Sequence, residues 1–189
     1  FPVLLRLLYS TGMRIGEACS LINSDVDMSS RIILVRNTKN KRDRQLPISD
    51  SLYQVLEQYL IKRDKLPLHN MGNPNSPFLI SLDGSSLTGV SARHWFYKIL
   101  EASDIDYIPK VGPRIHDLRH TFAVHVLDKL VKEGVDMHCC LPVLSMALGH
   151  KCVSDTEYYV RITNQVYPHL SDTTSAISEY VFPTISTMK

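Results

Sequence analysis

The sequence predicts a mostly α-helical α+β domain with one small antiparallel β-sheet. Apolar side chains recur at helical spacing in several segments, most clearly from Pro2 to Tyr9 and from His116 to Leu130. The β-branched run Ile32 to Val35 is followed by a second run, Gln45 to Ile48, and the basic segment between them suits the tip of a hairpin. A chain of 189 residues is long enough for one such domain with a full hydrophobic core.

Helix boundaries follow from capping residues and turn formers. Ser49 and Thr88 are suited to capping helix N-termini. Gly12 and Gly149 follow apolar helical runs and are suited to ending them. A short strand is expected at residues 78–80. The predicted helices cover about residues 2–9, 14–21, 50–63, 89–102, 116–130, 141–148 and 154–161.

The composition is that of a folded domain rather than a disordered or membrane-spanning chain. Hydrophobic residues make up 44% and charged residues 21%, and no apolar run approaches the roughly 20 residues that span a bilayer. The 4 cysteines form no CxxC pair, which favours reduced thiols and a cytoplasmic location. Because the chain opens with Phe1 inside an apolar helical pattern, a preceding segment is expected.

The net charge of +2 neither requires nor excludes a nucleic-acid partner, so its distribution matters more than its sum. The segment from Arg36 to Arg44 holds five basic residues and one acidic residue. A solvated loop and a DNA-contacting hairpin both explain such a cluster. The predicted DNA contacts are basic side chains on this hairpin and on the helix after Thr88: Lys41, Arg42, Arg44, Arg93 and Lys98.

A candidate anion site lies at the start of the helix that begins near His116. His116, Arg119 and His120 have the spacing i, i+3 and i+4, so they share one helical face. The helix dipole and free backbone N–H groups favour an anion there, and arginine adds a planar fork that matches two phosphate oxygens. Arg14, with Glu17 three residues later, supplies a second guanidinium. A surface helix start with an incidental salt bridge is the alternative.

A zinc site is a second interpretation of the same histidines. His116 and His120 have the i, i+4 spacing of a zinc-binding helix. However, Asp117 stands where such a hydrolase motif needs glutamate, and Arg119 would place a permanent positive charge beside the cation. We therefore expect neither a metal nor another cofactor.

Taken in order, these segments resemble the catalytic domain of the tyrosine recombinases, the integrase family of site-specific DNA recombinases. Thr11 to Ala18 (TGMRIGEA) is similar to the first box of the family. His116 to Ala123 (HDLRHTFA) is similar to the second box, and Leu148 to His150 (LGH) to the third. The family's spacing from this histidine to its nucleophile leads to Tyr159, and Lys39 falls on the hairpin where the family keeps a lysine.

The resemblance implies how the phosphate is held. Arg14 and Arg119 would clamp the scissile phosphate and stabilise its charge in the transition state. His116 and His150 would hydrogen-bond its oxygens, and His116 would also assist proton removal from the nucleophile. Arg119 is expected to be an exposed clamp, so that its removal would affect cleavage far more than folding. The implied catalytic set is Arg14, Lys39, His116, Arg119, His150 and Tyr159, with Glu17 and His120 in support.

The resemblance also implies the covalent chemistry. Tyr159 would attack phosphorus and form a 3′-phosphotyrosine link, with Tyr158 as the second choice of nucleophile. Lys39 would protonate the departing 5′ oxygen. Reversal onto the 5′-hydroxyl of a different strand would complete the exchange.

Domains, partners and location follow from the same resemblance. Residues 1–165 would form the catalytic domain, without the family's N-terminal DNA-clamping domain, and residues 166–189 a tail whose apolar residues at 177–181 suit a small docking helix. The partner would be double-stranded DNA, bound by a homotetramer on paired sites, with a monomer left open for the isolated domain. We expect integration or excision of a phage or mobile element in a prokaryotic cytoplasm, at the nucleoid. A catalytically silent DNA-binding module of the same fold is the alternative.

Overall fold

The computed structural model describes residues 1–36, 43–108 and 111–159. The chain divides into unit 1, which is Phe1–Phe122 with Met146–Gly149, and unit 2, which is Ala123–Ser145 with the residues from His150 onward. The helices are α1 Pro2–Thr11, α2 Ile15–Cys19, α3 Asp50–Arg63, α4 Gly89–Ala102, α5 Asp117–Lys132 and α6 Met137–Leu148. The strands are β1 Val26–Asp27, β2 Ile32–Val35 and β3 Arg44–Pro47. A 3₁₀ turn spans Asn23–Asp25, and residues 154–159 are helical.

The three strands form an antiparallel sheet in the order β1-β2-β3, which confirms the predicted hairpin. Ile33 lies opposite Leu46, and Val35 lies opposite Arg44. Ile33, Val35 and Leu46 are buried, whereas Gln45 is exposed, so alternate side chains enter the core. The second strand of the hairpin begins at Arg44, one residue before the predicted start.

The core of unit 1 is built from the first four helices and the sheet. Its most deeply buried side chains include Leu4, Leu7, Met13, Ile33, Leu52 and Leu56. Each such side chain contributes roughly 1.5–3 kcal/mol relative to an exposed one. Because α1 is packed along its length into this core, the turn that follows it is fixed, and Arg14 lies at the end of that turn.

Residues 78–80 do not form the predicted strand. Within the described residues, Pro77 and Ile80 make isolated bridges rather than a ladder. Phe78 and Leu79 are consecutive and both buried, which the two-residue period of a half-buried strand does not allow. The Tyr59 hydroxyl donates to the carbonyl of Phe78 (2.9 Å) and accepts from the N–H of Ile80 (3.1 Å), so a side chain takes the place of a neighbouring strand.

The starts of α5 and α6 also differ from the prediction. α5 begins at Asp117, so His116 lies in the turn before the helix rather than in its first turn. The Asp117 carboxylate accepts the backbone N–H of Arg114 (2.8 Å) and its guanidinium (2.9 Å), and these bonds hold the turn. α6 begins at Met137, four residues earlier than expected, and contains Pro142 in its interior.

Gly12 ends α1 in the left-handed region, with φ of 63°. A Cβ atom there would lie 2.3 Å from Cδ1 of Phe122 and 2.9 Å from Cδ2 of Leu148. Gly12→Ala should lower the free energy of unfolding by about 1–2 kcal/mol through its backbone conformation. Overpacking should add about 1–3 kcal/mol to this loss. Urea denaturation measures the sum.

Gly16→Ala is the matched control for this substitution. Gly16 lies inside α2, and its Cβ atom would meet nothing within 4 Å. The free energy of unfolding should stay unchanged or rise by roughly 0.5–1 kcal/mol, because alanine loses less backbone entropy on folding. Equal losses in the two variants would contradict the packing role of Gly12.

Candidate active site

Arg14 lines a cleft of about 420 Å³ in unit 1, together with Glu17, Arg36 and His116. Its Nη1 donates to Oε1 of Glu17 (2.9 Å), and its backbone N–H donates to Oε2 (2.8 Å). Its Nη2 donates to the carbonyl of Gly149 (3.1 Å). About 30% of the Arg14 side chain is exposed. The guanidinium is therefore held on one side and open to a cleft that the cationic Arg36 also lines.

Arg44 does not stand on an exposed hairpin tip, as the predicted DNA contact requires. It begins β3, where it pairs with the buried Val35, and 9% of its side chain is exposed. Its Nη1 and Nη2 donate to the two Glu17 oxygens at 3.1 and 2.7 Å, and its Nε donates to the carbonyl of Ala147 at 2.7 Å. The guanidinium is thus engaged inside the protein instead of being presented to DNA.

The Glu17 carboxylate joins the two arginines. Burial raises the pKa of this carboxyl, but hydrogen bonds and charge from Arg44 and Arg14 outweigh burial, so the pKa lies below its ordinary value. The side chain is 9% exposed and remains ionised at neutral pH. Glu17 therefore fixes the orientation of Arg14, which is a supporting contact rather than a contact to a ligand.

Arg119 is buried, with 3% exposed, and this corrects the expectation of an exposed clamp. Its Nη1 donates to the carbonyl of Gly12 and its Nη2 to the carbonyl of Leu148, both at 2.7 Å. These carbonyls lie at the C-terminal ends of α1 and α6, where the helix dipole is negative and carbonyls lack helical partners. The guanidinium thus binds two helix ends and is fixed in one plane.

His116 lines the same cleft as Arg14, and its ring meets the ring of His120 edge-on, with centroids 5.1 Å apart. Partial burial lowers the pKa of His116, and the charges of Arg119 and of a protonated His120 lower it further. Burial likewise lowers the pKa of His120. Both imidazoles are therefore neutral at neutral pH, and His116 can accept a proton in the cleft.

His150 and Tyr159 come together within unit 2. The His150 Nδ1 lies 2.8 Å from the hydroxyl oxygen of Thr156, which is fully buried. The rings of His150 and Tyr159 are nearly parallel, at 9°, with centroids 6.1 Å apart. Tyr159 is 3% exposed, whereas the neighbouring Tyr158 is 56% exposed. The helical residues 154–159 bring the threonine and the tyrosine to one side of the imidazole.

The remaining predicted site residues divide into two groups. Arg93 and Lys98 are exposed on α4, and Lys98 pairs with Glu101 (3.0 Å). The hairpin residues Lys39, Lys41 and Arg42 lie outside the described residues, as does the tail that was predicted to dock.

Two residues that contribute to the site, Thr156 and Arg36, were not identified from the sequence. Thr156 has a recognisable signal, because it precedes Tyr159 by three residues and so lies one helical turn away on the same face. Arg36 was counted with the basic hairpin, but it lines the cleft and forms an ion pair with Asp25.

Neither a metal cluster nor a membrane-spanning helix occurs in the parts of the chain that the structure describes. In those ranges, no three His, Cys, Asp or Glu side chains are grouped as metal ligands would be. None of the helices there has the length and apolarity needed to cross a bilayer.

The chain matches the phage integrase family over residues 2–165 and belongs to it, as a member of the tyrosine recombinases. It is 32% identical over 160 residues to tyrosine recombinase XerC of Thermodesulfovibrio yellowstonii, covering 84% of this chain and 49% of that protein. The chain spans about half the length of the curated relatives it matches.

Two solved structures show the same fold. A XerA recombinase matches with a TM-score of 0.66 and 25% identity, over 87% of this chain and 55% of that chain. The catalytic domain of bacteriophage HP1 integrase matches with a TM-score of 0.55 and 26% identity, over 98% of this chain and 83% of that chain. The predicted tyrosine recombinase catalytic-domain fold, mostly helical with a small antiparallel sheet, is therefore confirmed.

Proposed function

We propose that this chain is the catalytic part of a site-specific DNA recombinase that cleaves and rejoins strands through a 3′-phosphotyrosine intermediate. The observation that carries the proposal is the cleft lined by Arg14 and His116, in which an oriented guanidinium and a neutral imidazole face the same space. The membership in the tyrosine recombinases supports the choice of a DNA phosphodiester as the anion.

The phosphate is bound by fixed cations. Arg14 donates to phosphate oxygens from its exposed side, while Glu17 holds the opposite side. Arg119, whose plane is set by two helix-end carbonyls, adds a second positive charge to the pentavalent transition state. Because both groups are positioned before the reaction, little reorganisation is needed as charge develops.

The covalent step exchanges one phosphoester for another. The Tyr159 oxygen attacks phosphorus, the bond from phosphorus to the 5′ oxygen breaks, and a 3′-phosphotyrosine forms. A phenol is a weak nucleophile until its proton is removed, and neutral His116 is the acceptor that we assign. Lys39 gives a proton to the 5′ oxygen, and His150 donates a hydrogen bond to a phosphate oxygen. Attack by the 5′-hydroxyl of another strand reverses these steps.

The biological role that we propose is integration or excision of a phage or mobile element. Double-stranded DNA is the partner, and a homotetramer on paired sites, located with the nucleoid DNA, is the proposed assembly. The Tn1549 transposon integrase in complex with circular intermediate DNA, which has a TM-score of 0.61 and 26% identity to this chain, supports DNA as partner.

A catalytically silent DNA-binding module of the same fold is the second candidate. One observation favours it: Tyr159 is 3% exposed, whereas a nucleophile must reach phosphorus. The two candidates differ in a single measurable property, the formation of a covalent bond to DNA.

The test is a search for a covalent protein–DNA adduct. Nicked suicide duplexes with randomised sequence around the cleavage position are incubated with the protein in EDTA, and the products are separated on a denaturing gel. We expect an adduct that protease removes, because the nick releases the 5′ fragment and traps the phosphotyrosine. DNA binding without an adduct would favour the silent module.

A further inference from the structure

Arg44 is tied to the candidate site although it does not line the cleft. Its side chain and that of Glu17 are both 9% exposed, and they form a two-bond ion pair. A third hydrogen bond runs from Nε of Arg44 to the carbonyl of Ala147. A charged pair as buried as this one is costly unless it is fully hydrogen-bonded, so its presence calls for a reason beyond stability.

The space for this contact depends on Gly149. A Cβ atom at Gly149 would lie 2.8 Å from Nη1 of Arg44, and the residue has a φ of 67°, where glycine is favoured. The carbonyl of the same glycine accepts from Nη2 of Arg14. The backbone turn at Gly149 therefore leaves room for Arg44 and provides a hydrogen-bond acceptor for Arg14.

The side chains of Arg14, Glu17 and Arg44 form a hydrogen-bonded cluster that carries an excess of positive charge. One carboxylate, Glu17, accepts bonds from two guanidinium groups, so the sum over the three side chains is one positive charge. Arg44 is enclosed, whereas 30% of the Arg14 side chain is exposed at the cleft. An anion in the cleft meets the excess charge at Arg14.

We propose that Arg44 is a positioning residue that balances the charge of Glu17, so that Arg14 keeps its own positive charge for an anion in the cleft. The identity of that anion as a DNA phosphate rests on the proposed function. Without Arg44, the buried carboxylate has Arg14 as its remaining partner in the cluster, and the pair is neutral. Glu17 then still orients Arg14 but also neutralises its positive charge.

Removing the charge of Glu17 together with that of Arg44 distinguishes charge balance from a purely structural role. If Arg44 only clamped β3 to the end of α6, removing the charge of Glu17 as well could not repair the Arg44 variant. If Arg44 balances Glu17, neutralising both groups returns the cluster to one positive charge. The double variant Glu17→Gln/Arg44→Met is thus the decisive comparison.

Binding of inorganic phosphate measures the charge at the cleft. We would titrate phosphate into the wild type, Arg44→Met, Glu17→Gln and the double variant, following the NMR signals of the His116 ring and the arginine Nε–H groups. Arg44→Met should weaken binding on the order of tenfold, the effect of one unit charge across a partly screened cleft. The double variant should return to within about threefold of the wild type.

Arg31→Met is the matched control, because Arg31 also lies beside the sheet and pairs with a carboxylate, Asp50, but is 50% exposed. It should leave phosphate binding unchanged. Thermal melts establish that each variant is folded. Should Arg44→Met fail to fold, Glu17→Gln alone decides: it should bind phosphate more tightly than the wild type, whereas a structural role predicts weaker binding.

Three results would overturn the inference: no phosphate binding at the wild-type cleft, unchanged binding in Arg44→Met, or a double variant as weak as Arg44→Met. The adduct assay on the same variants keeps this inference apart from the proposed function. If the four proteins bind phosphate as expected but the wild type forms no adduct with DNA, the role of Arg44 stands and the proposed recombinase activity is contradicted. If the wild type forms the adduct but phosphate binding does not change among the variants as expected, the recombinase proposal stands and the role of Arg44 is contradicted.

Discussion

Tyr159→Phe should reduce formation of the covalent protein–DNA adduct by at least about a thousandfold, because the atom that attacks phosphorus is deleted. The substitution keeps the aromatic ring that lies parallel to His150, and it removes one oxygen from a side chain that is 3% exposed. Any loss of stability should therefore stay near the roughly 1 kcal/mol of a single hydrogen bond. The nicked-duplex assay in EDTA measures adduct formation, and a filter-binding assay on the same DNA should show unchanged affinity.

Tyr158→Phe is the control, since Tyr158 is the adjacent tyrosine and is 56% exposed. It should form the adduct at a rate close to that of the wild type. An adduct that persists in Tyr159→Phe and disappears in Tyr158→Phe would transfer the nucleophile to Tyr158. This outcome is chemically reasonable, because the exposed hydroxyl is the more accessible one, so both variants are needed.

Most helices and the hairpin were predictable because their signals are local. α3 and α4 begin after Ser49 and Thr88, whose hydroxyls accept backbone N–H groups of the first turn as predicted. The β2–β3 pairing was predictable because β2 is rich in β-branched residues and the basic segment after it, which suits a hairpin tip, leads to a second short run. The segment around Phe78 was not predictable in this way, because its carbonyl accepts from the side chains of Tyr59 and Arg63, nineteen and fifteen positions away.

The candidate site was predictable in its residue types but not in its geometry. The spacing of His116 and Arg119 placed them near each other, and their cationic character suggested an anion. The partners of Arg119, however, are carbonyls 107 and 29 positions away, and a local pattern contains no information on such contacts. Arg44 looked like one more basic residue of a hairpin, because nothing in its neighbourhood indicates the buried carboxylate of Glu17.

Glycines explain how the arginines reach backbone carbonyls at all. Gly12 ends α1 with its carbonyl bound to Arg119, and Gly149 follows α6 with its carbonyl bound to Arg14. Both adopt positive φ angles, and side chains at either position would meet atoms closer than 3 Å. In sequence terms they appear as helix ends, yet they also provide the acceptors that orient the two guanidinium groups.

Arg119→Ala should remove adduct formation and, contrary to the expectation for an exposed clamp, also destabilise the fold. The side chain is 3% exposed, and its loss leaves the carbonyls of Gly12 and Leu148 without these charged donors. Buried acceptors left unpaired cost about 1–3 kcal/mol each, so a total loss of about 2–6 kcal/mol is expected for the two carbonyls. Urea denaturation measures stability, and the adduct assay must be run at a temperature where the variant is folded.

Arg119→Lys and Arg63→Ala separate the two effects. Lysine keeps the charge but lacks the fork, so Arg119→Lys should lose less stability than Arg119→Ala while adduct formation still falls by about a hundredfold or more. Arg63 is likewise buried, at 5% exposed, and donates to the carbonyl of Phe78 and to Asn23. Besides burial, the charge of Arg119 lowers the pKa of His116 in the cleft, whereas the charge of Arg63 acts on Tyr59. Arg63→Ala should therefore destabilise the protein similarly and leave adduct formation by the folded fraction intact. If the Arg63 variant lost adduct formation as completely as the Arg119 variants, reduced stability would explain both results, and Arg119 would have no separate role at the phosphate.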